Sequence, residues 1–128
     1  MLSKKFDSIY DADAKPLAKE ALKKGFSLDR YRSTPNNHKG DLSLNFGNQN
    51  IIIEITQMPT RHGQCFKIGQ CFIQKNLWPN SRHFLVCKKK LLRKSSLDAF
   101  KKLKINIINT EFENNWQIKV IKELKKSF

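Results

Sequence analysis

The sequence lacks the features of a membrane or secreted protein. Its apolar runs are much shorter than the roughly 18 residues that a membrane-spanning helix needs, and the start of the chain lacks the apolar core of a secretory signal. Cysteines are few and odd in number, and Cys65, Cys71 and Cys87 form no C-x-x-C arrangement, which favours a reducing compartment. We therefore expect a soluble, cytoplasmic protein without a membrane partner.

Several kinds of site are missing as well. No glycine-rich phosphate loop is present, because Gly63 and Gly69 do not have the required spacing. The histidines and cysteines are too scattered to form a zinc site, although His62 and Cys65 stand three residues apart. No His and Asn partners are placed for a nucleophilic cysteine. The carboxylates are therefore the best remaining candidates for residues that carry chemistry.

Acidic residues are scarce, because 11 Asp and Glu stand against 25 Lys and Arg, giving a formal net charge of +14. A surplus of this size favours a polyanionic partner, since Lys and Arg gain binding free energy by releasing counterions from phosphates. Charge selects a class of partner and not an activity. We expect that partner to be nucleic acid.

The chain of 128 residues, 39% hydrophobic, is the size of one domain with one modest core. Hydrophobic spacing predicts an α/β fold with three strands that form an antiparallel meander, followed by strands that alternate with helices and pair in parallel. The domain spans 1–128, with a core over about 11–109 and an amphipathic C-terminal helix over about 114–127. The predicted helices cover 11–25, 60–77 and a segment opened by a capping box of Ser95 and Asp98; the predicted strands cover 26–33, 41–46, 50–56, 83–87 and 105–109.

Glu54 is the residue that most needs an explanation, because it interrupts a run of isoleucines in the strand predicted to be central. An ionised carboxylate there costs several kcal/mol unless a cation or hydrogen bonds offset the desolvation. Asp41 lies at the start of the neighbouring strand, so a hairpin would bring the two carboxylates together, where they favour a shared Mg²⁺. Such an ion could promote phosphodiester hydrolysis. The alternative is that Glu54 lies at a strand end and pairs with a lysine.

This arrangement resembles the PD-(D/E)xK nuclease superfamily, in particular its archaeal Holliday-junction-resolvase-like branch. The resemblance covers about 11–109 and rests on Gly40-Asp41, a hairpin, the strand Ile51-Ile52-Ile53-Glu54-Ile55-Thr56, and a helix containing Gln64, Lys67, Gln70 and Gln74. It implies a restriction-endonuclease-like fold, a mixed β-sheet flanked by α-helices. It also implies a Mg²⁺-dependent (or Mn²⁺-dependent) endonuclease that acts on DNA, including branched DNA, in repair or recombination.

The resemblance also assigns roles to residues. Asp41 and Glu54 would bind the metal, and Glu20, on the helix that precedes the core, would assist them. The family's lysine, two residues after the second acid, falls on Thr56, and Gly40 stands where the family has proline. Either a lysine from elsewhere takes over, with Lys67 the best candidate and Lys39 the second, or the site has decayed and the domain only binds.

The helix over 60–77 has a polar face opposite its apolar stripe of Phe66, Gly69, Ile73 and Leu77. In the resemblance this polar face lines the site, and Gln70 would contact the substrate or hold an acidic residue. An ordinary solvated helix face is the alternative for Gln64 and Gln74.

Basic residues are densest from Arg82 to Lys104, where nine Lys or Arg face a single acid, Asp98. We expect this stretch to hold the phosphate backbone, so that recognition depends on shape more than on sequence. The predicted nucleic-acid contacts are Lys39, Arg61, Arg82, Lys88, Lys89, Lys90, Arg93 and Lys94, with Arg30 and Arg32 as further candidates.

Three alternatives remain open at this point. A non-catalytic nucleic-acid-binding module is the rival of the nuclease, and RNA is the rival of DNA as its partner. We expect a homodimer, for which the apolar C-terminal helix around Trp116 offers a surface. The alternative for that helix is that it covers its own sheet.

Overall fold

The structure is a computed structural model, which describes residues 12–29, 38–57 and 60–128. These residues form an α/β fold in which a five-stranded mixed sheet is flanked by helices, as predicted. The helices are α1 (Ala14–Lys23), α2 (Arg61–Leu77), α3 (Lys94–Lys102) and α4 (Trp116–Lys125), with a short 3₁₀ turn at Lys89–Leu91. The strands are β1 (Ser27–Leu28), β2 (Leu42–Phe46), β3 (Gln49–Thr56), β4 (Arg82–Cys87) and β5 (Asn106–Asn109).

The strands lie in the order β1-β2-β3-β4-β5, so β3 is central. The first three strands pair antiparallel, and β3, β4 and β5 pair in parallel, as the sequence predicted. The β2–β3 hairpin turns at Gly47, whose φ is +61°. Its register sets Leu42 opposite Ile53. Asp41 and Glu54, which flank that pair, are thereby brought to the same part of the sheet.

Apolar side chains lie on both faces of the sheet, because successive residues of a strand point to opposite sides. On one face, Ile51, Ile53 and Ile55 of β3 pack with α1 and α4. On the other face, a smaller cluster joins β4 to α2 and α3 around Leu85 and Phe100. Glu54 alternates with the isoleucines and therefore points to the face of α2 and α3.

Helix α4 packs against its own sheet. Its apolar side chains are buried in the larger cluster, namely Trp116, Val120, Ile121 and Leu124. The prediction that the helix offers a dimer surface around Trp116 is therefore wrong, because these apolar side chains are buried against the sheet of the same chain. No helix among the described residues is long and apolar enough to cross a membrane.

The predicted capping box of α3 is also wrong. The helix begins at Lys94, after Arg93, and no side chain caps it. The Arg93 N–H and the Ser96 hydroxyl instead donate to Gln64 Oε1 of α2, at 3.1 and 2.6 Å. Contacts with α2, and not a capping motif within α3 itself, thus fix the start of α3.

Helix α2 turns its polar face toward the sheet. Gln64 and Gln74 are buried, each only 4% exposed, so the alternative of a solvated face is wrong for both. Their amides can be buried because each finds hydrogen-bond partners. The apolar stripe faces outward instead, with Phe66 66% exposed and both Ile73 and Leu77 58% exposed.

Candidate active site

Three elements bring an acid, a second acid and a lysine to one point. Asp41 precedes β2, Glu54 lies within β3, and Lys67 is on α2, which follows β3 and returns over it. Lys67 Nζ lies 2.6 Å from Glu54 Oε2 and 3.3 Å from Asp41 Oδ2. These are the three residues that the sequence ranked first for the site.

Glu54 is 2% exposed and lies inside β3, not at its end. Burial, and next the charge of Asp41, raise the pKa of this carboxyl to about 7, although Lys67 and Gln74 oppose the shift. Gln74 Nε2 donates to Glu54 Oε1 at 2.7 Å, so both carboxylate oxygens have a partner. Glu54 does pair with a lysine, as the alternative interpretation held, but from the middle of the sheet.

Asp41 has the opposite electrostatic environment. Burial favours its neutral form, but His38, Lys67 and the N–H of Ile55 together outweigh burial and lower the pKa of Asp41 to about 2. The Ile55 N–H donates to Asp41 Oδ2 at 2.7 Å. The two carboxyls, although adjacent, therefore differ widely in pKa, which is a common property of functional pairs.

His38 completes the group. Its Nε2 lies 3.6 Å from Asp41 Oδ1 and 3.7 Å from Glu54 Oε1. The hydrogen bond with Asp41, supported by the charges of both carboxylates, raises the pKa of His38, although burial and Lys67 oppose it. The sequence analysis missed this role; the only signal was that His38 stands three residues before Asp41.

Gly40 holds Asp41 against the neighbouring strand. Its φ is +71°, and a Cβ added there would lie 2.7 Å from Ile52 Cγ2 and 2.9 Å from the Ile53 carbonyl oxygen. The Asp41 N–H donates to the same oxygen at 2.9 Å. Gly40 is thus required by a left-handed turn and a close backbone approach.

The donor set fits a small divalent cation. His38, Asp41 and Glu54 each offer a ligand atom, and these atoms lie within 4.8 Å of one another. Two carboxylates suit Mg²⁺ and Mn²⁺, which prefer oxygen ligands, whereas the imidazole of His38 is a nitrogen ligand that softer ions favour.

Glu20 is not part of this group, as far as the described residues show. The acid that reaches the carboxyl end of β3 is Asp13, which immediately precedes α1 and whose carboxylate accepts from Gln57 Nε2 at 2.8 Å. Glu20 lies seven residues further along the helix, about 10 Å away at 1.5 Å per residue. The supporting role that the resemblance gave to Glu20 thus has no contact with the cluster here.

The structure distinguishes between Lys67 and Lys39, the two candidates for the lysine that the resemblance places at Thr56. Thr56 is half-buried at the end of β3. Lys39 is buried, and its Nζ lies 2.7 Å from Asp29 Oδ2. It therefore pairs with Asp29 and not with the two acids of the site. Lys67 alone among the described lysines bridges both acids.

Two glutamines of α2 differ in their relation to the site. Gln74, which the sequence set aside, donates to Glu54, and its spacing of seven from Lys67 was the signal for it. Gln70 Oε1 is buried and has no hydrogen-bond partner among the described residues. Gln70 lies three residues after Lys67 on α2, and no contact among the described residues joins it to the carboxylates.

The predicted phosphate contacts divide between the two ends of the sheet. Parallel pairing sets Thr56 beside Cys87, so the basic turn that follows β4 lies at the same end as the carboxyl end of β3. Lys88 begins this turn, which continues through Lys89, Lys90, Arg93 and Lys94. Arg61 is exposed at the start of α2, a few residues after β3.

Arg82 is placed differently, at the opposite end of β4. Its guanidinium lies 4.6 Å from the ring centroid of Phe128 and donates to the Ser127 carbonyl. Arg30 and Arg32 lie outside the described residues. Gln64 secures the basic turn to α2, because its Nε2 donates to the Leu91 carbonyl and its Oε1 accepts from Arg93.

The comparisons with known proteins return no match: no family model fits the chain, and neither a curated protein nor a solved structure is significantly similar to it.

Proposed function

We propose that this protein is a metal-dependent endonuclease with a restriction-endonuclease-like fold, which hydrolyses DNA phosphodiester bonds and recognises the shape of its substrate. The observation that supports the proposal is the buried Glu54 carboxylate, in contact with Lys67 and adjacent to Asp41. The sheet order, with both acids on a β-hairpin and the lysine on the next helix, supports the finer assignment to the PD-(D/E)xK superfamily.

The energetic cost of Glu54 favours a functional role. A buried carboxylate pair costs several kcal/mol of desolvation, and apolar residues of similar size would stabilise the centre of a sheet equally well or better. Lys67 neutralises only one of the two negative charges. A chain whose net charge is +14 nevertheless concentrates two acids at this point, as a cation site requires.

Asp41, Glu54 and His38 would hold Mg²⁺ or Mn²⁺. When bound, the ion would polarise a phosphate oxygen and lower the pKa of a coordinated water. Lys67, at 2.6 Å from Glu54, opposes the rise in the pKa of that carboxyl and would present positive charge to a phosphate. Gln70 Oε1, which has no hydrogen-bond partner among the described residues, can accept a hydrogen bond from the substrate or from a water.

The basic turn after β4 would hold the nucleic-acid backbone. Lys89 and Lys90 are exposed, and Lys90 pairs only with the surface residue Glu111. Surface pairs of this kind are weak and are readily exchanged for phosphate. Backbone contacts carry no sequence information, so the substrate would be selected by structure, as in branched DNA.

The test is cleavage by the purified chain of labelled linear, branched, flapped and single-stranded DNA, and of matched RNA, in Mg²⁺, Mn²⁺ or EDTA. We expect cleavage only with metal, and a loss of at least about 100-fold in Glu54→Gln and Lys67→Met, the usual scale for electrostatic catalytic groups. Glu123→Gln, which changes an exposed acid of α4, is the matched control. Absence of cleavage under every condition would overturn the proposal.

A non-catalytic nucleic-acid-binding module is the second candidate. Two observations favour it. Thr56 stands at the lysine position of the family that the chain resembles, and the ion pair of Lys67 with both acids offsets negative charge in the site without a metal. Such a module would bind DNA equally in Mg²⁺ and EDTA, with an affinity that falls steeply as salt rises. Glu54→Gln would then leave the affinity unchanged.

A further inference from the structure

The outer face of α2, from His62 to Leu77, is uncharged. Its exposed residues recur at intervals of three and four and contain no Asp, Glu, Lys or Arg, namely His62, Cys65, Phe66, Gly69, Phe72, Ile73, Asn76 and Leu77; the exposed Arg61 stands before them, at the N-terminal end of the helix. Four of them are large apolar side chains that are 56% to 66% exposed. Such a continuous apolar face is characteristic of an interaction site.

Gly69 stands in the middle of this face. Glycine in the interior of a helix costs about 1 kcal/mol relative to alanine. No heavy atom among the described residues lies within 4 Å of a Cβ built on Gly69, so packing within the chain gives no reason for it. A glycine at an exposed helix surface does permit the close approach of a second backbone.

The face is also nearly symmetric about Gly69. Phe66 and Phe72 lie three residues before and after it, and Cys65 and Ile73 lie four residues before and after it. In an antiparallel helix pair with a two-fold axis at Gly69, each Phe66 would meet Phe72 of the second copy. A two-fold contact requires a self-complementary surface of this kind.

We propose that the protein forms a homodimer through α2, with the two helices antiparallel and crossing at Gly69. This inference does not depend on the proposed nuclease activity, because it uses the face of α2 that points away from the carboxylates.

Charge and area both favour a second copy as the occupant. Two chains of charge +14 repel each other, so they can associate closely only where Lys and Arg are absent, as they are on this face. The same lack of charge makes the face unsuited to phosphate. At roughly 200 Å² for each large side chain, of which about three fifths is exposed, the four would bury about 900 Å² over two copies. The surrounding polar atoms would extend this toward the roughly 1,200–2,000 Å² of stable interfaces.

The first test is the mass of the full chain in solution by light scattering after size-exclusion chromatography at about 100 µM. We expect the mass of two chains for the wild type and of one chain for Ile73→Glu, because the substitution would bury an unpaired charge in an apolar contact. Ile118→Glu, at an exposed isoleucine of α4, is the control and should remain dimeric. A single-chain wild type, or a dimeric Ile73→Glu, would overturn the proposal.

The second test examines the crossing point. In a Cys65→Ser background, Gly69→Cys should form a disulfide-linked dimer when an oxidant is added, because a residue on the axis faces its own copy. Ile118→Cys in the same background should not. A dimer that Gly69→Cys fails to cross-link would contradict the proposed arrangement.

Discussion

Replacing Glu54 by Gln is expected to remove a pH dependence from the stability of the protein. The pKa of Glu54 is raised from its ordinary value of 4.5 to about 7, first by burial and then by Asp41. Between these values the native chain binds a proton that the unfolded chain has lost. The stabilisation by this proton is complete below pH 4.5 and is lost as the pH rises through about 7.

The size of the effect follows from the difference between the two pKa values. At 1.36 kcal/mol for each pKa unit, it is about 3 kcal/mol of unfolding free energy between pH 4.5 and 8. Asp41, with a pKa near 2, does not titrate in this range. His38, whose pKa is raised, changes stability in the same direction as Glu54, and His83, whose pKa burial lowers, changes it in the opposite direction.

The assay is urea unfolding of wild type and Glu54→Gln at several pH values from 5 to 8 in EDTA. The contribution of His83 is present in both proteins, whereas His38 loses the charge of Glu54 in the variant, so the difference between the two curves reports Glu54 together with its effect on His38, and both act in the same direction. We expect the wild type to lose stability relative to the variant by about 3 kcal/mol across the range. Glu123→Gln should follow the wild type. Parallel curves for wild type and Glu54→Gln would refute the account of Glu54 as a buried carboxyl with a raised pKa.

Two further predictions concern single residues outside the charged cluster. Gly40→Ala should destabilise the protein by about 1–3 kcal/mol more than Gly47→Ala, because both glycines have positive φ but only Gly40 lacks space for a Cβ; equal midpoints in urea would contradict this. Cys65, which is exposed, should be the only thiol that reacts rapidly with a disulfide reagent in the native protein at pH 8. Burial raises the pKa of Cys71 to about 12 and of Cys87 to about 11, so a count of three fast thiols before unfolding would be incompatible with the structure.

The sheet and the centre of the site could be predicted because their determinants are local. Strict alternation marks β2, an isoleucine run marks β3, and Gly47 marks the turn between them. Once the hairpin is fixed, the proximity of Asp41 and Glu54 follows from register alone. Lys67 was then the first lysine on the next helix, and the structure brings its Nζ to both acids.

The rest depends on contacts between segments that are distant in sequence. The burial of Gln64 is stabilised by Leu91, Arg93 and Ser96, which lie 27 to 32 residues further along the chain. No periodicity of α2 by itself indicates that its polar face is the inner one. The burial of Trp116 is likewise decided by the sheet that α4 covers.

The inverted orientation of α2 has a consequence for dynamics. The apolar contacts of this helix with the sheet come from Cys71 and Ile68, and the rest of its inner face is held by hydrogen bonds and an ion pair, which add little net stability in water. Amide hydrogens of α2 should therefore exchange with solvent before those of β3 and β4. A ligand that orders the helix from its inner face and a second chain that orders it from its outer face would each reduce the entropy that the other must remove. Under the two proposals above, occupancy of the carboxylate cluster and self-association would be thermodynamically linked, and each would strengthen the other.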